Sequence, residues 1–427
     1  MIRVLSSIWA LLLGIVLIML GNGMQFTLIG LRGEIEGFSA QELAIVTSGY
    51  FTGFLIGARL TPVMIRRVGH VRVFAALGSF MSAGLIAFTL LAEPWAWTVL
   101  RVLVGFCMSG IYVTAESWLN YAATNKTRGK VLAAYMIAQT IGIIGAQGLL
   151  TLGDAETASL FIGASILVSI SFAPVLLSVN PAPVTEVAQP MPLRELFSSS
   201  PLGTVGIFLL GSIYATQSGM GAVFGAQIGL SVDEIALFVA MLFAGALLFQ
   251  APIGWLSDRM DRRKLIFLAS AFGAVCCVIG WFAGGSLLPL LAAAFFAGGV
   301  TTPLYALFLA YTNDFLSTEA MPAASGTLVL TFGVGAILGP LLVGWWMEQL
   351  GPFAFWLVLG ATFASIAIYA LYRMTQRQAT PVAETESYLG VLPTASPLTV
   401  ETANTWSAEQ PDSDDQNSSG TDENLSK

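Results

Sequence analysis

Long apolar runs separated by short polar stretches dominate the chain from about residue 8 to residue 375. A bilayer core about 30 Å thick takes roughly 20 apolar residues of helix to cross. Runs of that kind lie at 8–31, 43–65, 71–92, 95–120, 130–152 and 158–178. They resume at 203–226, 234–256, 264–283, 286–311, 321–347 and 352–373. The pattern predicts an all-α integral membrane protein with twelve transmembrane helices in two sets of six. The first run follows Met1-Ile2-Arg3 but is too long for a signal-peptide core, so it is expected to remain as a span.

The polar stretches divide the chain. Asn180-Pro181-Ala182-Pro183, Gln189-Pro190-Met191-Pro192 and Ser198-Ser199-Ser200-Pro201 break helices and mark a linker. The expected units are a six-helix bundle at 1–178, a cytoplasmic linker at 179–202, a second bundle at 203–378 and a disordered acidic tail at 379–427. The tail turns to Pro, Ser, Thr, Asp and Glu, with little to bury.

The loops orient the bundle. Arg66, Arg67 and Arg72 follow the second run, Lys126, Arg128 and Lys130 the fourth, and Arg259, Arg262, Arg263 and Lys264 the eighth. The alternate loops hold Arg32 among Glu34, Glu36, Glu42, Glu93, Asp154, Glu156, Asp233, Glu234 and Glu348. Basic loops stay in the cytoplasm, which predicts both termini there.

The two sets of six are related at a shift of 192 to 193 residues. Arg66–Arg72 aligns with Asp258–Lys264. Gly105, Tyr112 and Asn120 align with Gly298, Tyr305 and Asn313, and Gly142 aligns with Gly335. An even number of spans per half gives both halves one orientation, so the repeat is parallel. Such repeats pack around a substrate site near the bilayer midplane.

Composition agrees and narrows the chemistry. Hydrophobic residues make up 56% of the chain and charged ones 10%, against about 25% charged in soluble domains. The net charge of -7 belongs to the tail, where nine acids face Lys427; the remaining 378 residues carry 17 bases and 16 acids. Cys107, Cys276 and Cys277 show no metal-ligand spacing, and His70 is the single histidine. An enzyme, a metal site and a cofactor are therefore not expected.

Gly254-Trp255-Leu256-Ser257-Asp258-Arg259-Met260-Asp261-Arg262-Arg263-Lys264 resembles the loop signature of the major facilitator superfamily. Arg101-Val102-Leu103-Val104-Gly105 resembles that family's arginine motif of span 4, with Val in place of the usual glutamine. Gly335-Ala336-Ile337-Leu338-Gly339-Pro340 resembles its glycine–proline motif, but in span 11 rather than span 5, so it does not argue for antiport. Gly69-His70-Val71-Arg72-Val73-Phe74, Glu116-Ser117-Trp118-Leu119-Asn120 and Arg128-Gly129-Lys130-Val131-Leu132 resemble the YcaD-like branch. The resemblance spans roughly residues 8–375 and implies the major facilitator fold and a transporter. Arg66 departs from it, standing where the general signature has an aspartate.

Away from the span ends, three charged side chains fall within the predicted spans: Arg59, Arg101 and Glu116. Intramembrane charge is costly and marks candidate function. Arg101 and Glu116 lie roughly 22 Å apart along one helix at 1.5 Å per residue, too far to pair. For Glu116 two readings stand: proton coupling, or a charge latch with Arg59 at similar depth. For Arg101 the readings are a cavity role, or packing against backbone carbonyls. Asn22, Gln25, Tyr112, Tyr214, Gln217 and Tyr305 are candidate substrate contacts, with interhelical hydrogen bonding as the alternative. Asp258, Arg259, Arg262 and Arg263 form a candidate gating loop, its acid facing a helix N-terminus and its bases the lipid headgroups.

The expectation is a secondary transporter of the inner membrane, moving a small-molecule substrate by alternating access. No GxxxxGK[ST] motif appears, so a gradient, with protons as the candidate coupling ion, is the expected drive. Membrane lipid is the other expected partner; nucleic acid is not one, and a monomer is expected. The competing expectation is a non-transporting receptor or scaffold acting through the tail.

Overall fold

The structure, a computed structural model, describes residues 2–123, 127–177, 190–317 and 319–376, then 381, 385, 388, 390–396, 399 and 400. Among these residues regular structure is helical throughout: α1 Ile2–Ile35, α2 Ala40–Val68, α3 His70–Ala87, α4 Pro94–Ala122, α5 Arg128–Leu150 and α6 Ser159–Leu177. The short α7, Leu193–Ser199, leads into α8 Pro201–Gln227, α9 Val232–Ser257, α10 Arg262–Phe282, α11 Leu287–Asn313, α12 Met321–Leu350 and α13 Ala354–Gln376.

Eleven of these helices are long and apolar enough to cross a membrane. The twelfth expected span is α6, whose described apolar stretch, Ser159–Pro174, is shorter than the rest. Of the expected linker, residues 179–189 lie outside the described residues. Its remainder is not loose: the Met191 N–H donates to the Ala323 carbonyl (3.0 Å) and its carbonyl accepts from Thr327 Oγ1 (2.6 Å), tying it to α12.

The repeat is visible in the packing. In the first half α2 packs on α4 and α1 on α5; in the second α9 packs on α11 and α8 on α12. Glycine makes both seams close. A Cβ at Gly53 would fall 1.9 Å from the Val102 carbonyl, and one at Gly245 would fall 1.9 Å from the Phe295 carbonyl. Gly142 meets α1 at Val16, and Gly335 meets α8 at Phe208. These pairs keep the shift read from the sequence.

Where the halves meet, α1 faces α8, α2 faces α12 and α5 faces α9. The first two seams are tight at the α1–α2 end. Gly30 abuts Ala222 and Val223, Gly344 abuts Ala44, and the Gln41 N–H donates to Glu348 Oε1 at 3.0 Å. Toward the α2–α3 end a cavity of about 450 Å³ lies between α5 and α9.

Candidate functional site

This cavity runs from Gly129, Ala133 and Met136 on α5 to Gln250, Gly254 and Asp258 on α9, with Thr302 of α11 and Tyr214 of α8. At its inner end is a smaller pocket of about 30 Å³, lined by Asn22, Phe26, Tyr50, Tyr112, Gln147 and Tyr214 among others. Tyr214 and Thr394 border both. Asn22 reaches this position because its neighbours are glycines: Gly21 lies against Val168 and Gly23 against Ala146, holding α1 close to α6 and α5.

Three of the polar residues singled out from the sequence form one chain of bonds. Arg101 Nη1 donates to Gln25 Oε1 (2.7 Å), and Gln25 Nε2 donates to Asn22 Oδ1 (3.0 Å). The guanidinium lies between two rings, 4.3 Å from the Phe26 centroid and 4.7 Å from that of Tyr50. This is cation–π geometry in a desolvated site. Arg101 does not line the cavity; it fixes Gln25, which in turn fixes Asn22 on the wall.

Glu116 and Arg59 do not meet. Arg59 is exposed and borders a separate groove between α2 and α12 that also includes Arg66. Glu116 is 1% exposed, and its oxygens accept from Tyr135 Oη (3.0 Å) and the Ser396 N–H (2.9 Å). The expected charge latch is thus replaced by two neutral donors. Their distance in sequence explains the miss, because depth along a helix says nothing of the face on which a side chain lies.

The other candidates divide. Tyr112 lies on the pocket wall and its hydroxyl donates to Met19 Sδ (3.3 Å). Tyr305 is fully buried beside Phe332 (centroids 5.2 Å apart) and lines neither cavity, and its hydroxyl has no hydrogen-bond partner among the described residues. Gln217 is buried with Nε2 likewise unpartnered. Sequence reasoning passed over Gln147, Gln250 and Thr302, all of which line the space. Their signal was a polar side chain inside an apolar run, the same one that picked out Asn22.

In the α9–α10 loop, the acid at the helix N-terminus is Asp261, not Asp258. Asp261 Oδ1 accepts from the Arg263 N–H at 3.0 Å, capping α10. Partial burial works to raise its carboxyl, but bonds to the Arg263 side chain and backbone, with the Arg263 and Lys264 charges, hold it below the usual range. Arg262 is buried against Asp314, also bonding the Ala310 carbonyl (3.1 Å). Arg259 folds over the Trp255 ring (4.4 Å).

Asp258 points to the segment expected to be a disordered tail. Its Oδ1 accepts from the Tyr388 N–H (2.7 Å). From there residues 390–396, 399 and 400 continue into the space between the halves, with Val391, Ala395, Ser396 and Val400 buried. Residues 401–427 lie outside the described residues. The uncharged stretch 388–400, between Glu386 and Glu401, was the available signal.

Two six-helix halves around a shared central cavity define a multi-pass membrane transporter. The family model of the Major Facilitator Superfamily matches residues 11–224 and 204–407, and the chain belongs to that family. It is 26% identical over 375 residues to an uncharacterized MFS-type transporter of Enterobacter sp. (strain 638), covering 87% of this chain and 97% of that protein. It is likewise 26% identical over 380 residues to the uncharacterized MFS-type transporter YcaD of Escherichia coli (strain K12 / DH10B), covering 88% and 98%. Among solved structures it resembles the nucleoside transporter NupG (TM-score 0.72, 13% identity, 87% of this chain and 99% of that one). The human organic anion transporter MFSD10 (TETRAN) shares the fold less closely (TM-score 0.57, 13% identity, 85% and 98%).

Proposed function

We propose that the protein is a secondary active transporter that moves a small solute across the cytoplasmic membrane by alternating access, coupled to protons through Glu116. The observation that carries this reading is the cavity between the halves, closed at the α1–α2 end and bordered by polar groups from α1, α4, α5, α8, α9 and α11. The excess of Lys and Arg in the α2–α3, α4–α5 and α9–α10 loops supports a wider cavity end on the cytoplasmic side. Both termini then face the cytoplasm of an inner membrane.

The wall chemistry narrows the substrate. Amides, phenols and hydroxyls line the inner pocket beside Phe26 and Phe51, while Arg101 is held away from it. The side chains at the cavity that could carry charge are acids, Asp258 on its wall and Glu116 beside it. This favours a neutral or cationic solute with hydrogen-bonding groups and an apolar face, and disfavours an anion. Glu116 suits proton coupling because its partners are two neutral donors, so a proton has no fixed cation to displace.

The test begins with an untargeted metabolite comparison between cells lacking and overexpressing the protein. The solute that responds is then followed in proteoliposomes. Glu116→Gln is expected to abolish accumulation driven by an imposed pH gradient while leaving solute exchange at equal pH. Unchanged gradient dependence in this variant would remove Glu116 from the coupling step.

A further inference from the structure

We propose that the tail segment formed by residues 388, 390–396, 399 and 400 is a tethered plug that occupies the central cavity as a substitute ligand and holds the halves apart at the α2–α3 end. Its effect on transport rests on the carrier reading above; its presence in the cavity does not.

The plug is built as a hairpin with one limb on each half. On the second half, the Tyr388 N–H donates to Asp258, its hydroxyl accepts from Gln250 Nε2 (2.9 Å) and contacts the Pro303 carbonyl (3.4 Å). The ring lies where Gly254 leaves room: a Cβ there would come within 2.7 Å of it. The fit is mutual, since a Cβ at Gly390 would fall 2.6 Å from Gln250 Nε2.

At the tip, the Ala395 N–H donates to the Leu392 carbonyl (3.0 Å), closing a four-residue turn with Pro393 second. Proline presets the backbone for that position. The next residue, Thr394, borders the inner pocket with Tyr112 and Tyr214. On the first half, the Thr399 and Val400 N–H groups both donate to the Ser396 carbonyl (3.1 Å each), and the Ser396 N–H is held by Glu116. The segment therefore takes the carboxylate assigned to coupling and the pocket assigned to solute. A wedge bonded to both halves also opposes their closure at this end.

Tethering gives such a segment an effective concentration in the mM range for a flexible linker. Occupancy is read without any solute by the alkylation of a cysteine at Thr302→Cys, which is buried and lines the cavity. The three native cysteines are buried, so their background is low. A membrane-impermeant maleimide is applied from the tail's side to the full chain and to a chain ending at residue 378, each checked for a monodisperse detergent profile. Labelling is expected to rise by about tenfold or more on truncation, as displacement of a tethered ligand predicts. A synthetic peptide of residues 385–402 is expected to restore protection at roughly mM concentration, the level that the tether supplied.

Gly390→Val in the full chain leaves the membrane body untouched and is expected to raise labelling as truncation does. Equal labelling of the full and truncated chains would overturn the plug. Faster labelling with unchanged solute transport would overturn its role as a brake. Faster labelling with no transport by either chain counts against the carrier reading and supports occupancy.

Discussion

The turn between α1 and α2 and its counterpart between α8 and α9 are the same device. Gly37 (φ 79°) and Gly229 (φ 80°) end the preceding helices, and Ser39 with Glu42 or Ser231 with Glu234 forms a capping box. At the opposite end, the α2–α3 and α9–α10 loops share a register but not a chemistry. The second-half loop carries Asp258, Asp261 and a buried Arg262–Asp314 pair. The first-half positions hold Arg66, Gly69 (φ 85°) and His70, whose buried ring lies 6.4 Å from Trp118. Inside the membrane the asymmetry reverses: Arg101 and Glu116 of α4 fall in register with Ala294 and Leu309 of α11. One half thus keeps its charge where α9, α10 and α11 end, and the other keeps it beside the cavity. The repeat supplies a frame, while the functional chemistry comes from departures from it.

The sharpest way to break that comparison is Asp314→Asn. The side chains of Asp314 and Arg262 are each 2% exposed, and removing one partner of a buried ion pair costs about 3–5 kcal/mol. At the first-half position matching Arg262, His70→Ala removes a buried ring outside any ion pair among the described residues, and a cost of about 1 kcal/mol is expected. Thermal unfolding in detergent compares the two. Equal losses would mean that the second-half loop is not the more firmly latched one.

A middle-sized effect should be symmetric. Gly53→Ala and Gly245→Ala each drive a methyl to within 1.9 Å of a carbonyl oxygen on the neighbouring helix. Overpacking at a rigid seam costs about 1–3 kcal/mol. The same melting experiment should return similar losses for the pair. A clear inequality would show that one seam gives way more easily, sharpening the contrast between the halves.

Apolar run lengths and repeat spacing were enough to read the helices, the two halves and their parallel relation, because span length and glycine seams are local features. The site was legible only in part. Asn22, Tyr112 and Tyr214 stand on the cavity wall, while Arg101 and Gln25 stand behind it. Glu116 was visible as an isolated intramembrane carboxylate, yet its partners Tyr135 and Ser396 lie 19 and 280 residues away. No pattern within one helix encodes such contacts. The tail misled for a physical reason: its overall acidity hides an uncharged stretch long enough to enter the cavity, and average composition does not register it.

The smallest expected effect separates the charged cap of α10 from the glycine turn that precedes α3. Asp261 is ionised more readily in the folded protein than alone, because its bonds to Arg263 and the neighbouring charges outweigh its partial burial. A carboxyl lowered on folding stabilises above its ordinary pKa, and the contribution is lost as pH falls through the lower folded value. Its side chain is 16% exposed and solvent weakens the pair, so about 0.5–1 kcal/mol is expected. Wild type and Asp261→Asn are melted side by side at pH 5 and pH 3. The gap in stability should be present at pH 5 and shrink in stronger acid as the wild-type carboxyl becomes protonated. Gly69, the matching first-half position, has nothing to titrate and a left-handed backbone that disfavours an aspartate. A gap that does not change with pH would mean that the cap acts through hydrogen bonding alone, and the difference between the two loops would then be one of geometry rather than of charge.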